Sequence, residues 1–99
     1  MTARVIRHVV VRGKVQGVGY RAFVEHQAER HAIEGWVRNR ADGSVEAVFA
    51  GTPENVEAII EACRKGPSHS HVHTVEDRPG TEKEVAERGS DKFACLSTK

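Results

Sequence analysis

The chain has 99 residues, of which 38% are hydrophobic and 29% charged, and its formal net charge is +1 at pH 7. This length allows one domain with a modest core, and the balanced charge argues against a polybasic nucleic-acid or membrane surface. No apolar stretch approaches the roughly twenty residues that a membrane helix needs. We therefore expect a single domain over residues 1–99, with no nucleic-acid or membrane partner.

The location expected for this domain is the cytoplasm. Residues 1–4 begin the chain without the apolar core of a secretory signal. Cys63 and Cys95 do not form a close metal-binding pair, and two unpaired thiols are typical of a reducing compartment. A short, nearly neutral domain of this kind is expected to be a monomer.

The first predicted elements are a strand, a tight loop and a helix. Residues 4–12 form the strand, with Val5, Val9 and Val11 on one face. A glycine-containing loop follows, and a helical pattern then runs from residue 21 to residue 32. One side of that helix carries Tyr20, Phe23, Val24, Gln27, Ala28 and His31.

The second half of the chain begins with two strands, over residues 33–40 and 45–51. Asp42-Gly43 between them indicates a hairpin, because this pair tolerates the positive φ angles of tight turns. Thr52 and Pro53 then begin a second helix, as N-cap and first helical residue, and Gly66-Pro67 ends it. Its apolar residues at helical spacing are Val56, Ile59, Ile60 and Cys63.

The last third is less regular. A fourth strand is expected over residues 71–76, a long mobile loop over residues 77–91, and a short edge strand over residues 92–97. The resulting order predicts an α+β fold, a ferredoxin-like βαββαβ sandwich. In that fold two helices cover one face of an antiparallel sheet, here with a short fifth strand added.

The glycine loop at residues 13–19 has the features of an anion site. Glycines allow positive φ and close approach of a ligand, and the free N–H groups of the following helix point back into the loop. Residues 13–21 contain no acidic side chain, and their two charged residues, Lys14 and Arg21, are both basic. A cation in the first helical turn is disfavoured by about 0.3–1 kcal/mol, a penalty that a bound phosphate would reverse.

Two other interpretations of this loop are weaker. Arg21 could instead pair with Glu25 one turn later, but such pairs contribute only about 0.2–0.5 kcal/mol. The glycine spacing fits neither the P-loop nor the dinucleotide-binding pattern, because Ala22 stands where the latter needs glycine.

The loop resembles the first motif of the acylphosphatase family, Gly-x-Val-Gln-Gly-Val-Gly-aromatic-Arg, which residues 13–21 match at every fixed position. The family's second motif resembles Gly35-Trp36-Val37-Arg38-Asn39 followed by Asp42-Gly43-Ser44-Val45-Glu46. The resemblance is close over residues 9–51 and fades after residue 75. It implies that Arg21 binds phosphate and that Asn39 is the catalytic asparagine.

The residue chemistry leads to a compatible reaction. A phosphoryl group in the loop would be bound by the backbone N–H groups of Gln16, Gly17, Val18, Gly19, Tyr20 and Arg21 and by the Arg21 guanidinium. Asn39 could orient a water molecule through its amide. An acyl phosphate departs as a carboxylate, whose conjugate acid has a pKa of about 4, so no general acid is required. We therefore expect an enzyme that hydrolyses acyl phosphates to carboxylate and inorganic phosphate, without a metal or cofactor.

Three alternatives remain open at this point. One is a non-catalytic module that binds phosphate or an acyl phosphate as a regulatory ligand. Another is a nucleic-acid-binding ferredoxin-like domain, which would need exposed aromatic residues on its central strands, and the first strand has none. The last is a zinc site at His69, His71 and His73, whose alternation would equally suit a solvent-facing edge strand.

Overall fold

The computed structural model describes residues 3–99. Its elements are β1 (Val5–Lys14), α1 (Tyr20–Arg30), β2 (Glu34–Asn39), β3 (Val45–Gly51), α2 (Pro53–Lys65), β4 (His71–Pro79), α3 (Glu82–Val85), a 3-10 turn (Ala86–Arg88) and β5 (Phe93–Cys95). The five strands form one sheet in the order β4-β1-β3-β2-β5. The predicted ferredoxin-like βαββαβ arrangement is confirmed.

The fifth strand changes the character of the sheet. β1 pairs with β3 and β4, and β2 pairs with β3, all antiparallel. β5 instead runs parallel to β2, with Gly35 opposite Phe93 and Val37 opposite Cys95. The complete sheet is therefore mixed, whereas the sequence had indicated only antiparallel pairing.

The main core lies between the sheet and the two long helices. Its buried residues come from β1, α1, β2, β3, α2 and two connecting segments: Val9, Val11, Val15, Tyr20, Val24, Ala28, Ile33, Val37, Val45, Ala47, Phe49, Val56, Ile59, Ile60 and Cys63. Each large aliphatic side chain removed from water contributes about 1.5–3 kcal/mol before the entropy cost of ordering it. The Tyr20 hydroxyl donates to the carbonyl of Cys63 at 2.7 Å, which joins α1 to α2.

The helix boundaries follow the sequence signals closely. The Thr52 side chain accepts a hydrogen bond from the Asn55 N–H, and Pro53 is the first helical residue of α2. α1 ends at Arg30, two residues earlier than the pattern suggested, and Ala32 adopts a φ of 54° before β2 begins. Within residues 3–99, every helix is too short or too polar to traverse a bilayer.

The segment expected to be a long loop is folded. β4 continues to Pro79, and Thr81 and Glu84 form a reciprocal capping box that begins α3. Val85 then packs against Trp36, Val48 and Ala50 on the sheet face opposite the long helices. The expectation of a loop over residues 77–91 was wrong because this segment contains the end of β4, a short capped helix with one buried residue, and a 3-10 turn.

A group of charged side chains is also buried on this second face. Glu46 accepts a hydrogen bond from the Arg38 Nε at 2.7 Å, and its other oxygen lies 2.6 Å from the His8 Nε2. The side chains of His8, Arg38 and Glu46 are only 10–12% exposed. Burial alone would raise the pKa of Glu46, but the hydrogen bonds from its two partners hold that pKa below its usual value.

We expect Glu46→Ala to destabilise the fold by about 3 kcal/mol, because it leaves the buried Arg38 and His8 without their acceptor. The measurement is the free energy of urea unfolding at neutral pH. Glu76→Ala is the matched control, since Glu76 pairs with Arg12 where both side chains are largely exposed, and such pairs contribute at most about 1 kcal/mol. Equal losses in the two variants would contradict the structural role of the buried group.

Candidate active site

The loop between β1 and α1 is shaped by two glycines in left-handed conformations. Gly17 has a φ of 73° and Gly19 a φ of 78°. A Cβ at either position would meet nothing within 4 Å, so these glycines are required by backbone conformation rather than by lack of space. Space beside the loop is consequently open to a ligand.

The first turn of α1 has no acidic side chain to offset the positive end of the helix dipole. Gly19 is its N-cap, no side chain caps the first turn, and that turn contains no acidic residue. The first N–H groups of a helix have no intrahelical acceptor, and the helix dipole adds partial positive charge there. The loop and the helix start therefore favour an anion at the same point.

Arg21 adds a full positive charge to this point. Among the ion pairs of residues 3–99, none involves the Arg21 guanidinium, and Glu25 one turn later does not pair with it. The alternative of a simple Arg21–Glu25 pair is therefore absent from the structure. An unpaired guanidinium beside free N–H groups can bind two phosphate oxygens side by side.

Asn39 lies at the end of β2, opposite Val45 of the neighbouring strand. Its Oδ1 is buried and has no hydrogen-bond partner among the described residues. A buried amide oxygen without a partner costs about 1–3 kcal/mol. Its position is therefore better explained by a ligand or a water molecule than by packing.

The loop, Arg21 and Asn39 share one cavity of about 320 Å³. Its lining consists of Val15, Gly17, Gly19, Tyr20, Arg21, Ala22, Glu25, Asn39 and Cys95. The structure thus brings together most of the candidate residues that the sequence indicated. Val18 packs against the main core, and the Tyr20 ring belongs to that core, so these two can contribute to the site through their backbone only.

Gln16 has a different place from its neighbours in the loop. Its side-chain Nε2 donates to the carbonyl of Arg40 and to the carbonyl of Ser44, each at 2.8 Å. Both carbonyls belong to the β2–β3 hairpin that begins directly after Asn39. The Gln16 side chain therefore fixes the distance between the glycine loop and the strand end that carries Asn39, a role that the sequence analysis did not foresee.

The hairpin itself is held by Asp42. Its Oδ1 accepts hydrogen bonds from the Ser44 hydroxyl at 2.6 Å and the Ser44 N–H at 2.9 Å. These two bonds, with smaller contributions from Arg12 and Arg40, lower the pKa of Asp42 to about 2. Asp42 is therefore an ionised acceptor throughout the neutral range, and the turn keeps its geometry there.

The C-terminal segment reaches the same strand end. The Leu96 N–H donates to the carbonyl of Val37, and the Lys99 N–H donates to the carbonyl of Asn39 at 3.1 Å. The Lys99 carbonyl accepts from the Ala41 N–H at 2.8 Å. The tail therefore holds the backbone on both sides of Asn39, although its sequence departs from the family motif and gave no sign of this contact.

The histidines and cysteines do not form a second centre. His69, His71 and His73 are all exposed. Within residues 3–99, no group of three or more histidine, cysteine, aspartate or glutamate side chains is arranged to hold a metal ion. Burial raises the pKa of the Cys63 thiol to about 12, so this cysteine is a poor nucleophile at neutral pH.

Comparisons with known proteins agree with the motifs. The family model for acylphosphatase matches residues 7–94. An acylphosphatase of Rhodopseudomonas palustris (strain BisB18) is 52% identical over 95 residues, which cover 95% of this chain and 96% of that protein. An acylphosphatase of Bradyrhizobium diazoefficiens is 50% identical over 97 residues, covering 97% of this chain and 98% of the relative.

A solved structure gives the same result for the fold. The crystal structure of an acylphosphatase from Bacillus subtilis superimposes with a TM-score of 0.82 at 32% sequence identity. The match covers 93% of this chain and 98% of that one. The similarity therefore extends over nearly the whole length of both proteins.

We expect Arg21→Ala to weaken the binding of inorganic phosphate at least tenfold, because a hydrogen bond from a charged donor contributes about 1.5–3 kcal/mol. The dissociation constant is measured by isothermal titration calorimetry. Arg30→Ala removes the same charge from an exposed position on the same helix and is expected to leave the affinity unchanged. An Arg21→Ala protein that binds phosphate as well as the parent would show that the anion site lies elsewhere.

Proposed function

The chain belongs to the acylphosphatase family, and we propose that it hydrolyses acyl phosphates in the cavity between the β1–α1 loop and Asn39. The products are a carboxylate and inorganic phosphate. The observation that carries this proposal is that one cavity is lined by two polar groups without partners among the described residues. Among residues 3–99, the Arg21 guanidinium forms no ion pair and the buried Asn39 Oδ1 accepts no hydrogen bond, and both residues line this cavity.

The phosphoryl group of the substrate binds at the loop in this proposal. Backbone N–H groups of residues 16–21 donate to its oxygens, and Arg21 donates to two of them. These donors offset the negative charge that would otherwise repel an incoming nucleophile. They are held in place by the folded loop, so little reorganisation is needed when charge shifts in the transition state.

The attacking water is oriented by Asn39. The Asn39 Oδ1 accepts a hydrogen bond from an O–H group of the water. The side-chain NH₂ can donate a hydrogen bond to a phosphoryl oxygen or to the water oxygen. The water oxygen forms a bond to phosphorus as the bond to the carboxylate oxygen breaks, and the electron pair of that bond leaves with the carboxylate. The proton lost by the water passes to the phosphate or to solvent.

The leaving group explains why so few side chains suffice. A carboxylate is stable at neutral pH and departs unprotonated, whereas the alkoxide released from an ordinary phosphate ester needs a proton or a metal ion. The cavity lining contains one acidic side chain, Glu25, and no histidine. The site is therefore suited to the anhydride and poorly suited to the ester.

The non-catalytic alternative accounts for less of the structure. A module that only binds phosphate needs the loop and Arg21, but it has no use for an unpartnered amide oxygen on the opposite side of the cavity. We therefore favour turnover over simple binding. We further propose that the chain acts as one monomeric domain in the cytoplasm, a location in keeping with its two free thiols.

The direct test is the release of inorganic phosphate from acetyl phosphate, with phenyl phosphate as the ester control. We expect cleavage of acetyl phosphate alone, at a rate that EDTA does not change, because the groups that offset charge are protein donors. The rate measured with Arg21→Ala is subtracted as the background, which includes spontaneous hydrolysis. If EDTA stopped the reaction, or if the ester were cleaved equally well, the mechanism would be wrong.

A second prediction separates the two parts of the site. Asn39→Ala should lower kcat by about 10²–10³, as expected for the loss of one well-placed group in the transition state. The dissociation constant for inorganic phosphate should stay within about twofold of the parent value, since the loop is intact.

Asn55→Ala is the control for this substitution, because Asn55 lies in the first turn of α2, away from the cavity. It is expected to retain full activity. An Asn39→Ala protein that lost phosphate binding together with turnover would place Asn39 among the phosphate ligands and remove its role with water.

A further inference from the structure

A second cavity adjoins the catalytic one along helix α1. It has a volume of about 530 Å³, within the range of small-molecule sites. Ala22 and Glu25 line both cavities, so the two adjoin at these residues. We call the second cavity the acyl groove, and its remaining lining residues are His26, Ala28, Glu29, Ile33, Asp91, Lys92 and Phe93.

The floor of the acyl groove is apolar and well supported. Ala28 and Ile33 belong to the main core and are almost fully buried. Phe93 of β5 is half-buried, and its ring stacks on Phe49 with the centroids 6.3 Å apart. Ala28 and Ile33 support the floor from beneath, and the apolar surface open to a ligand is that of Ala22 and Phe93.

The rim of the groove carries mainly negative charge. Glu25, Glu29 and Asp91 are exposed carboxylates, and Lys92 is the one side chain on the rim with a permanent positive charge. A negatively charged group entering the groove would meet three like charges and one opposite charge. A hydrocarbon group lying against Phe93 would meet no such net repulsion.

We propose that the acyl groove binds the acyl part of the substrate and selects hydrocarbon acyl groups over those that carry a second carboxylate. The inference rests on the proposed function, because it assumes that the phosphoryl group lies at Arg21. From that position the substrate must continue away from the loop, and the groove opens directly beside Ala22. Between Ala22 and Glu29 the helix rises about 10 Å at 1.5 Å per residue, which is longer than an extended six-carbon chain, so such a chain fits along this segment.

The proposal also explains why the fifth strand matters to the site. Phe93 and the two residues before it form the side of the groove opposite α1, and Cys95 of the same strand lines the catalytic cavity. β5 therefore borders both parts of the substrate path. The sequence alone did not indicate a pocket for an acyl group, because the groove depends on the parallel pairing of β5 with β2.

The first experiment compares kcat/KM for acetyl, butyryl and hexanoyl phosphate in the unmodified protein. Each methylene that leaves water is expected to raise kcat/KM about two- to four-fold, so hexanoyl phosphate should exceed acetyl phosphate by at least about tenfold. Adipoyl phosphate has the same number of carbons as hexanoyl phosphate and a terminal carboxylate. Its kcat/KM should fall at least about fivefold below that of hexanoyl phosphate.

A charge-reversal variant tests the rim. Glu29→Lys should raise the ratio of kcat/KM for adipoyl phosphate to that for acetyl phosphate at least about threefold, because the terminal carboxylate of adipoyl phosphate comes closer to that position than a two-carbon acyl group does. Glu57→Lys is the matched control, since it changes the net charge equally from an exposed position on α2. It should alter neither substrate.

The outcomes distinguish this inference from the proposed function. Hydrolysis of acetyl phosphate with no gain along the chain series, or with equal rates for hexanoyl and adipoyl phosphate, would overturn the acyl groove and leave the catalytic site standing. Equal effects of Glu29→Lys and Glu57→Lys on adipoyl phosphate would also overturn it. Failure to cleave any acyl phosphate would overturn the proposed function and the groove with it.

Discussion

Strand β3 holds the two halves of the site together, because it pairs with β1 on one side and with β2 on the other. The glycine loop follows β1, and Asn39 ends β2, so their separation is set by the two strand spacings across β3 and by the register of both pairings. A slip of one residue in the pairing of β2 with β3 would turn Asn39 to the opposite face of the sheet. The buried group of His8, Arg38 and Glu46 spans these same three strands and resists such a slip.

Two regions of this molecule treat charge in opposite ways. On one face, Glu46 satisfies Arg38 and His8, and the cation of Arg38 lies 4.5 Å from the centre of the Trp36 ring. At the loop, the first turn of α1 and the guanidinium of Arg21 have no acidic partner among residues 3–99. Loss of one member of the first arrangement would destabilise the fold, whereas the second leaves favourable electrostatic interactions available to a ligand. This contrast is the physical reason for placing function at the loop.

The sequence predicted the parts of the structure that depend on local signals. The glycine loop, the Asp42-Gly43 hairpin and the Thr52 cap all lie where those residues indicated. The parallel pairing of β5, the buried partners of Glu46 and the contact of Lys99 with Asn39 depend on residues far apart in the chain. No local pattern encodes them. α3 was missed for a different reason, since four residues are too few for a helical period to be recognised.

The two hydrogen bonds of the Gln16 amide join residues separated by 24 and 28 positions along the chain. Such contacts close long loops, and these two bring the segment after β1 to the β2–β3 hairpin. The loop on its own, or the hairpin on its own, would carry its motif without the spacing of the proposed site. Return of activity during refolding is therefore expected to report the docking of the glycine loop against this hairpin.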